Sequence, residues 1–191
     1  MPGFDRRRFL AGAAAAAAPG LPGSAMAESP ALLREGPLRE APRRQDGEWR
    51  SLFRGGMLFR WRHDGEALLG EVSAATAGWL AVGFNDTDSL RGTCFVMAQL
   101  SVPPARVELR RAFVPDHIRI DDAAVQEALQ VRRRSYATGR SQLDFRLLHA
   151  VGDALGVNLS PGATTYLMMA WSRSPDFAHH SAFRDQRGVV L

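Results

Sequence analysis

From Trp49 onward, apolar and polar positions follow one another in short runs separated by turn residues, a pattern of strands more than of helices. An apolar-rich run at 57–61 leads to His63-Asp64-Gly65-Glu66, which reads as a hairpin turn, and a second run covers 67–73. The run Gly78-Trp79-Leu80-Ala81-Val82-Gly83-Phe84 gives a third strand, stopped by Asn85-Asp86-Thr87-Asp88. A fourth spans 93–100 and ends at Pro103-Pro104. Two later stretches alternate cleanly. Val107, Leu109, Arg111 and Phe113 share one parity against Glu108, Arg110 and Ala112, while Leu143, Phe145 and Leu147 alternate with Gln142, Asp144 and Arg146. Period-two alternation marks a strand with one face in a core. Residues 129–136, 165–171 and a closing segment 187–191 complete the strand set, and 121–129 reads as a short helix with acidic residues at its start. Many short strands at this spacing predict an all-β fold of two packed antiparallel sheets.

The chain before Trp49 has a different character. Asp5-Arg6-Arg7-Arg8-Phe9-Leu10 is followed by an alanine-rich stretch to Pro19 and then by Ser24-Ala25-Met26-Ala27. Charged segment, short apolar segment and small-residue cleavage site come in the order of a signal peptide, cut before Glu28. Arg6-Arg7-x-Phe9-Leu10 resembles the twin-arginine address, which implies a periplasmic or otherwise secreted product. The organisation expected is a leader at 1–27, a flexible Pro-, Arg- and Glu-rich lead-in at 28–47 and a β-sandwich at 48–191, with no transmembrane segment in the mature chain.

Composition then narrows the function classes. The formal net charge of +4 owes two units to the leader, where three arginines stand against Asp5. The remainder is too weakly basic, and too poor in recognition motifs, for a nucleic-acid partner. Cys94, the single cysteine, lies in the apolar run Cys94-Phe95-Val96-Met97-Ala98 and reads as a packing residue. No nucleophile elbow, phosphate loop or zinc spacing is present, so no catalytic set is assigned and a non-catalytic binding or electron-transfer domain is favoured over an enzyme.

The chemistry concentrates near the C-terminus, in Pro175-Asp176-Phe177-Ala178-His179-His180-Ser181-Ala182-Phe183-Arg184. Imidazole ligates haem iron and other transition metals, and arginine holds carboxylates in bidentate pairs. If the pair continued a strand, His179 and His180 would face opposite ways and at most one would enter a given pocket. His63 in its hairpin and His149 after a strand end read as surface or structural groups, and His117 as a loop-packing residue with ligation as the alternative.

These segments together resemble the DOMON family, named for the dopamine β-monooxygenase N-terminal domain and shared with the cytochrome domain of cellobiose dehydrogenase. Gly78-Trp79-Leu80-Ala81-Val82-Gly83-Phe84-Asn85 is similar to its glycine–tryptophan to glycine–phenylalanine strand. Phe177-Ala178-His179-His180-Ser181 with Arg184 is similar to its histidine loop. Phe113-Val114-Pro115-Asp116-His117 and the 143–148 strand fall between them in the family order.

The resemblance implies an immunoglobulin-like β-sandwich of about ten strands and a pocket for haem b or, in other members, a sugar or small ligand. His180 matches the family's axial histidine and is the expected ligand to haem iron. Where the family places its methionine ligand this chain has Leu90, which cannot coordinate iron; Met97, seven residues on, is the nearest thioether. The cofactor-binding set implied is therefore His180, Arg184, Trp79, Leu90 and Met97. The function implied is an exported haem-binding module in electron transfer or redox sensing, with a membrane or periplasmic redox protein as partner. A haem-free module for a sugar or small organic ligand, and an oxidoreductase component, are the alternatives.

Overall fold

The computed structural model describes residues 47–113 and 116–191; the leader at 1–27 and the lead-in up to residue 46 lie outside the described residues. The described residues form eleven strands in two antiparallel sheets, consistent with an immunoglobulin-like sandwich. The first sheet has the order β1 (Arg50–Arg54), β2 (Met57–Asp64), β3 (Ala67–Ala74), β9 (Arg140–Leu148), β8 (Leu129–Ala137). The second runs β11 (Phe183–Val190), β10 (Thr164–Trp171), β4 (Trp79–Asn85), β5 (Cys94–Gln99), β6 (Arg106–Phe113), β7 (Asp116–Arg119).

Alternation decides which face each strand buries. Met57, Phe59 and Trp61 of β2, Leu68 and Val72 of β3, and Leu143, Phe145 and Leu147 of β9 meet Leu80, Val82, Phe84, Cys94, Val96 and Leu109 of the second sheet. Phe59 stacks on Trp61 at 5.3 Å and on Phe145 at 6.4 Å between ring centroids. Gly70 makes room for that stack, since a Cβ there would lie 2.3 Å from the Phe145 ring. Cys94 is buried in this core with its Sγ 3.2 Å from the Leu155 carbonyl; burial pushes its thiol up, as suits a packing residue.

The eleven strands agree with the expectation of about ten, with β1 and β7 as short sheet edges that lack an alternating apolar signal. Several details differ. The last strand begins at Phe183, not 187; its polar Arg184-Asp185-Gln186-Arg187 stretch conceals an edge strand from hydropathy. The short helix forms as α1 (Ala123–Glu127), where the Asp122 carboxylate accepts from the backbone N–H groups of Ala124 and Val125. A further 3-10 turn (His149–Val151) runs into α2 (Gly152–Leu155). His63 is half-buried, not exposed, because its ring meets His149 across the end of the sandwich. No helix among the described residues is long and apolar enough to cross a membrane.

Candidate functional site

Every residue of β4 and β5 is buried, which one core cannot explain for alternating strands. Their second face points away from the main core and carries its own apolar cluster: Trp79, Ala81, Phe95, Met97, Ala112, Met168, Ala170 and Phe177, with Leu90 packed against it. Strand register builds this face in rows. Arg184, Ala170, Ala81, Met97 and Glu108 are successive cross-strand partners from β11 to β6. The next row holds Gln186, Met168, Gly83, Phe95 and Arg110. Directly paired residues share a face, so alanine and glycine in mid-sheet leave a hollow between larger neighbours. Phe95 lies across Gly83, where a Cβ would come within 2.5 Å of its ring.

Two loops roof that hollow. The first follows β4 and presents Leu90. Buried Asn85 holds it, its Nδ2 donating to the carbonyls of Ser89 (2.6 Å) and Arg91 (3.0 Å), while Thr93 Oγ1 donates to Ser89 at 2.9 Å. The second loop joins β10 to β11 and carries both histidines. Buried Ser172 donates to the His180 carbonyl at 3.0 Å, and Trp79 Nε1 donates to the His179 carbonyl at 3.1 Å. The Asp176 carboxylate accepts from the Ala178 N–H at 3.0 Å, closing an Asx turn. Phe177 anchors the loop with its ring under Arg106 (4.6 Å) and Arg110 (5.5 Å).

Between sheet and loops lies a cleft of about 870 Å³, counting its open mouth. Trp79, Leu90, Met97, His180 and Arg184 all line it, so five residues drawn from four separate segments are brought to one place. His179 lines it too. The expectation that only one of the pair enters a pocket does not hold, because both lie in the loop between β10 and β11, outside any strand, and strand alternation does not apply to them. Both imidazoles are exposed at the mouth. Arg184 has no ion-pair partner among the described residues.

His117 also faces the cleft, from β7 opposite Ala112. Arg110 Nε donates to its Nδ1 at 2.7 Å, Arg110 also donates to the His117 carbonyl at 3.0 Å, and the same guanidinium pairs with Glu108. Burial pushes His117 below the usual imidazole value, and the Arg110 cation lowers it further against the opposing pull of Asp116. With Nδ1 accepting from arginine, the neutral ring carries its proton on Nε2. That nitrogen is a donor here and has no lone pair for a metal. Sequence reasoning missed Arg110 and Ala112 as wall residues because their parity on β6 reads as the solvent face. Met168 gives no separate signal, since it lies inside the apolar run 165–171.

The comparisons concern the fold. Neither a protein-family model nor a curated protein matches the sequence. Solved structures that share the architecture include two cytochrome domains. The cytochrome b domain of pyranose dehydrogenase from Coprinopsis cinerea superposes with a TM-score of 0.55 at 13% identity, over 73% of this chain and 80% of that one. The cytochrome domain of Myriococcum thermophilum cellobiose dehydrogenase gives 0.51 at 14% identity, over 75% and 81%. The chain has the fold of these cytochrome domains.

Proposed function

We propose that this protein is an exported b-type haem-binding module serving electron transfer or redox sensing. The observation that carries the proposal is the cleft itself: an imidazole at the mouth, beside it an arginine with no ion-pair partner among the described residues, and aromatic, thioether and alanine walls on an outer sheet face. The donor set suits a porphyrin. His180 would supply a nitrogen to iron, Arg184 would pair with a propionate, and Trp79, Phe95 and Leu90 would cover the ring's apolar body. Bound haem would supply a one-electron iron couple whose potential depends on its ligands and burial. The chain's part is to hold the ligand loop by its Ser172 and Trp79 hydrogen bonds and to exclude water along the Leu90 side. Export by the twin-arginine route and a membrane or periplasmic redox partner belong to the same proposal.

The second axial ligand is the open element. Leu90 has no coordinating atom and His117 presents an N–H. Met97 and Met168 bring the thioethers on the floor of the cleft. Expression with haem should give a Soret band that His180→Ala removes and His179→Ala weakens less. A low-spin wild-type spectrum that turns high-spin in Met97→Ala or Met168→Ala identifies the second ligand; a high-spin wild type that turns low-spin in Leu90→Met shows the position vacant. A protein that takes up no haem overturns the proposal. The small-ligand module then leads, to be pursued by thermal-shift screening of sugars and small phenolics.

A further inference from the structure

The two sheets end in the edge strands β1, β8, β7 and β11. Short length, bulges and like charges are the usual defences of an exposed edge against another chain, and three of these strands have them. β7 has four residues. β8 carries a bulge between Val131 and Arg133 and the consecutive cations Arg132, Arg133 and Arg134. β1 has five residues with an arginine at either end, so antiparallel copies centred on Leu52 would set Arg50 against Arg54. β11 has eight residues, no proline and an unbroken register with β10.

The ladder shows which backbone groups of β11 face outward. Val190 stands opposite Thr164, while the N–H of Leu191 donates to the Ala163 carbonyl at 2.9 Å, which makes Val190–Thr164 a non-hydrogen-bonded pair. Such pairs alternate with hydrogen-bonded ones, so Arg184, Gln186 and Gly188 also turn their N–H and C=O groups away from β10. The contacts with β1 fall at the two ends of this edge: Arg50 donates to the Val190 carbonyl, and the Phe183 ring lies where a Gly55 side chain would be.

We infer that β11 pairs with β11 of a second copy of this chain, antiparallel, about a two-fold axis through Gln186. In that register Arg184 stands opposite the partner's Gly188 and Gln186 opposite its own copy, and each pair exchanges backbone hydrogen bonds through the outward groups. Asp185 then faces the partner's Arg187, and Arg187 the partner's Asp185, at the non-hydrogen-bonded positions where side chains come closest. A slip of two residues one way would set Asp185 against itself, and the other way Arg187 against itself. Charge therefore selects the centred register. Within one chain Arg187 Nε donates to Asp185 Oδ2 at 2.8 Å, with the two side chains 42% and 26% exposed. An exposed ion pair contributes little, so exchanging it across the axis costs little. Gln186 Nε2 is buried with no hydrogen-bond partner among the described residues, and the partner's Gln186, on the same face, brings an amide oxygen beside it. Directly paired residues share a face, so both clefts open on one side of the joined sheet. The pairing stands whatever the cleft binds.

Analytical ultracentrifugation of the full chain from micromolar to millimolar concentration should show a reversible monomer–dimer equilibrium. The amides of Arg184, Gln186 and Gly188 should exchange more slowly as the dimer forms. Asp185→Arg and Arg187→Asp should each weaken dimerisation at least tenfold, the first by opposing cations and the second by opposing carboxylates. Mixed in equal amounts, the two variants should form a heterodimer, and Asp185→Arg/Arg187→Asp in one chain should restore the homodimer. Gln186→Pro removes an N–H that points away from β10, so it should leave the circular dichroism spectrum unchanged while abolishing the dimer. A chain that is monomeric throughout, or a dimer that survives Gln186→Pro or either charge variant, overturns the inference. Charge variants that remain monomeric when mixed overturn it as well, since the register requires them to recombine.

Discussion

The indole Nε1 of Trp79 donates to the backbone carbonyl of His179 at 3.1 Å, so the first residue of β4 holds the loop that carries both cleft imidazoles. Trp79 is only 4% exposed, yet it belongs to the outer cluster and not to the main core. Trp79→Phe removes the donor and some ring volume and should cost about 1–3 kcal/mol in chemical denaturation. Trp79→Ala should cost about 3–5 kcal/mol. Amide exchange at residues 178–181 should quicken in both, more than in β2 or β9. Unchanged exchange there would show that the loop is held by Ser172 alone.

Ala81 sits between Ala170 and Met97 in the row that floors the cleft. Ala81 is 1% exposed within the outer apolar cluster, so a leucine there crowds its neighbours and fills the floor of the cleft. Ala81→Leu should therefore destabilise the fold by about 1–3 kcal/mol. Haem uptake, followed by Soret absorbance, should fall at least tenfold. Undiminished uptake by a folded Ala81→Leu protein would place the ligand elsewhere.

The Leu90 loop depends on one buried amide. Asn85 is 6% exposed, and its Nδ2 donates to the carbonyls of Ser89 and Arg91 and to Thr93 Oγ1. Asn85→Ala leaves these acceptors short of a partner and should cost about 1–3 kcal/mol by thermal or urea unfolding. Amides 87–92 should exchange faster while the 165–171 strand stays protected. Asn85→Asp should not rescue, since a carboxylate has no donor for three acceptors.

Much of this was legible from alternation. The 142–147 stretch has one apolar parity, and the structure turns its Leu143, Phe145 and Leu147 to the main core, as it does Met57, Phe59 and Trp61 of β2. The outer cleft was harder to see. Gly78 to Phe84 is apolar at both parities, so periodicity alone cannot say that Trp79, Ala81 and Gly83 face a second cluster. Glu108, Arg110 and Ala112 look solvent-facing because a cleft wall with charged groups has the hydropathy of a surface. The five residues carried by the resemblance do converge, for their segments follow one another round a single sheet. What no local pattern held was the meeting of His63 and His149, which only strand pairing through β3 brings together.

The last expectation concerns pH. Burial, ahead of a neighbouring arginine in each case (Arg110 and Arg146), lowers the folded-state values of His117 and His149 below the ordinary 6.5. Between that unfolded value and the lowered folded ones, the unfolded chain binds protons that the folded chain does not. Stability rises with pH wherever the unfolded state holds more protons, so the contribution is complete above 6.5. It is lost as pH falls through 6.5 and on through the folded values. Urea midpoints measured from about pH 7.5 down to about pH 5.5, above the range in which carboxylates titrate, should therefore decline. The exposed imidazoles of His179 and His180 are common to wild type and variants, so differences between proteins isolate the two lowered groups. His117→Asn should flatten the decline by its own share, and a His117→Asn/His149→Asn double variant should flatten it further. A wild-type midpoint that holds steady or rises on acidification, or a double variant with the wild-type slope, would contradict the assignment of both rings as half-buried neutral imidazoles.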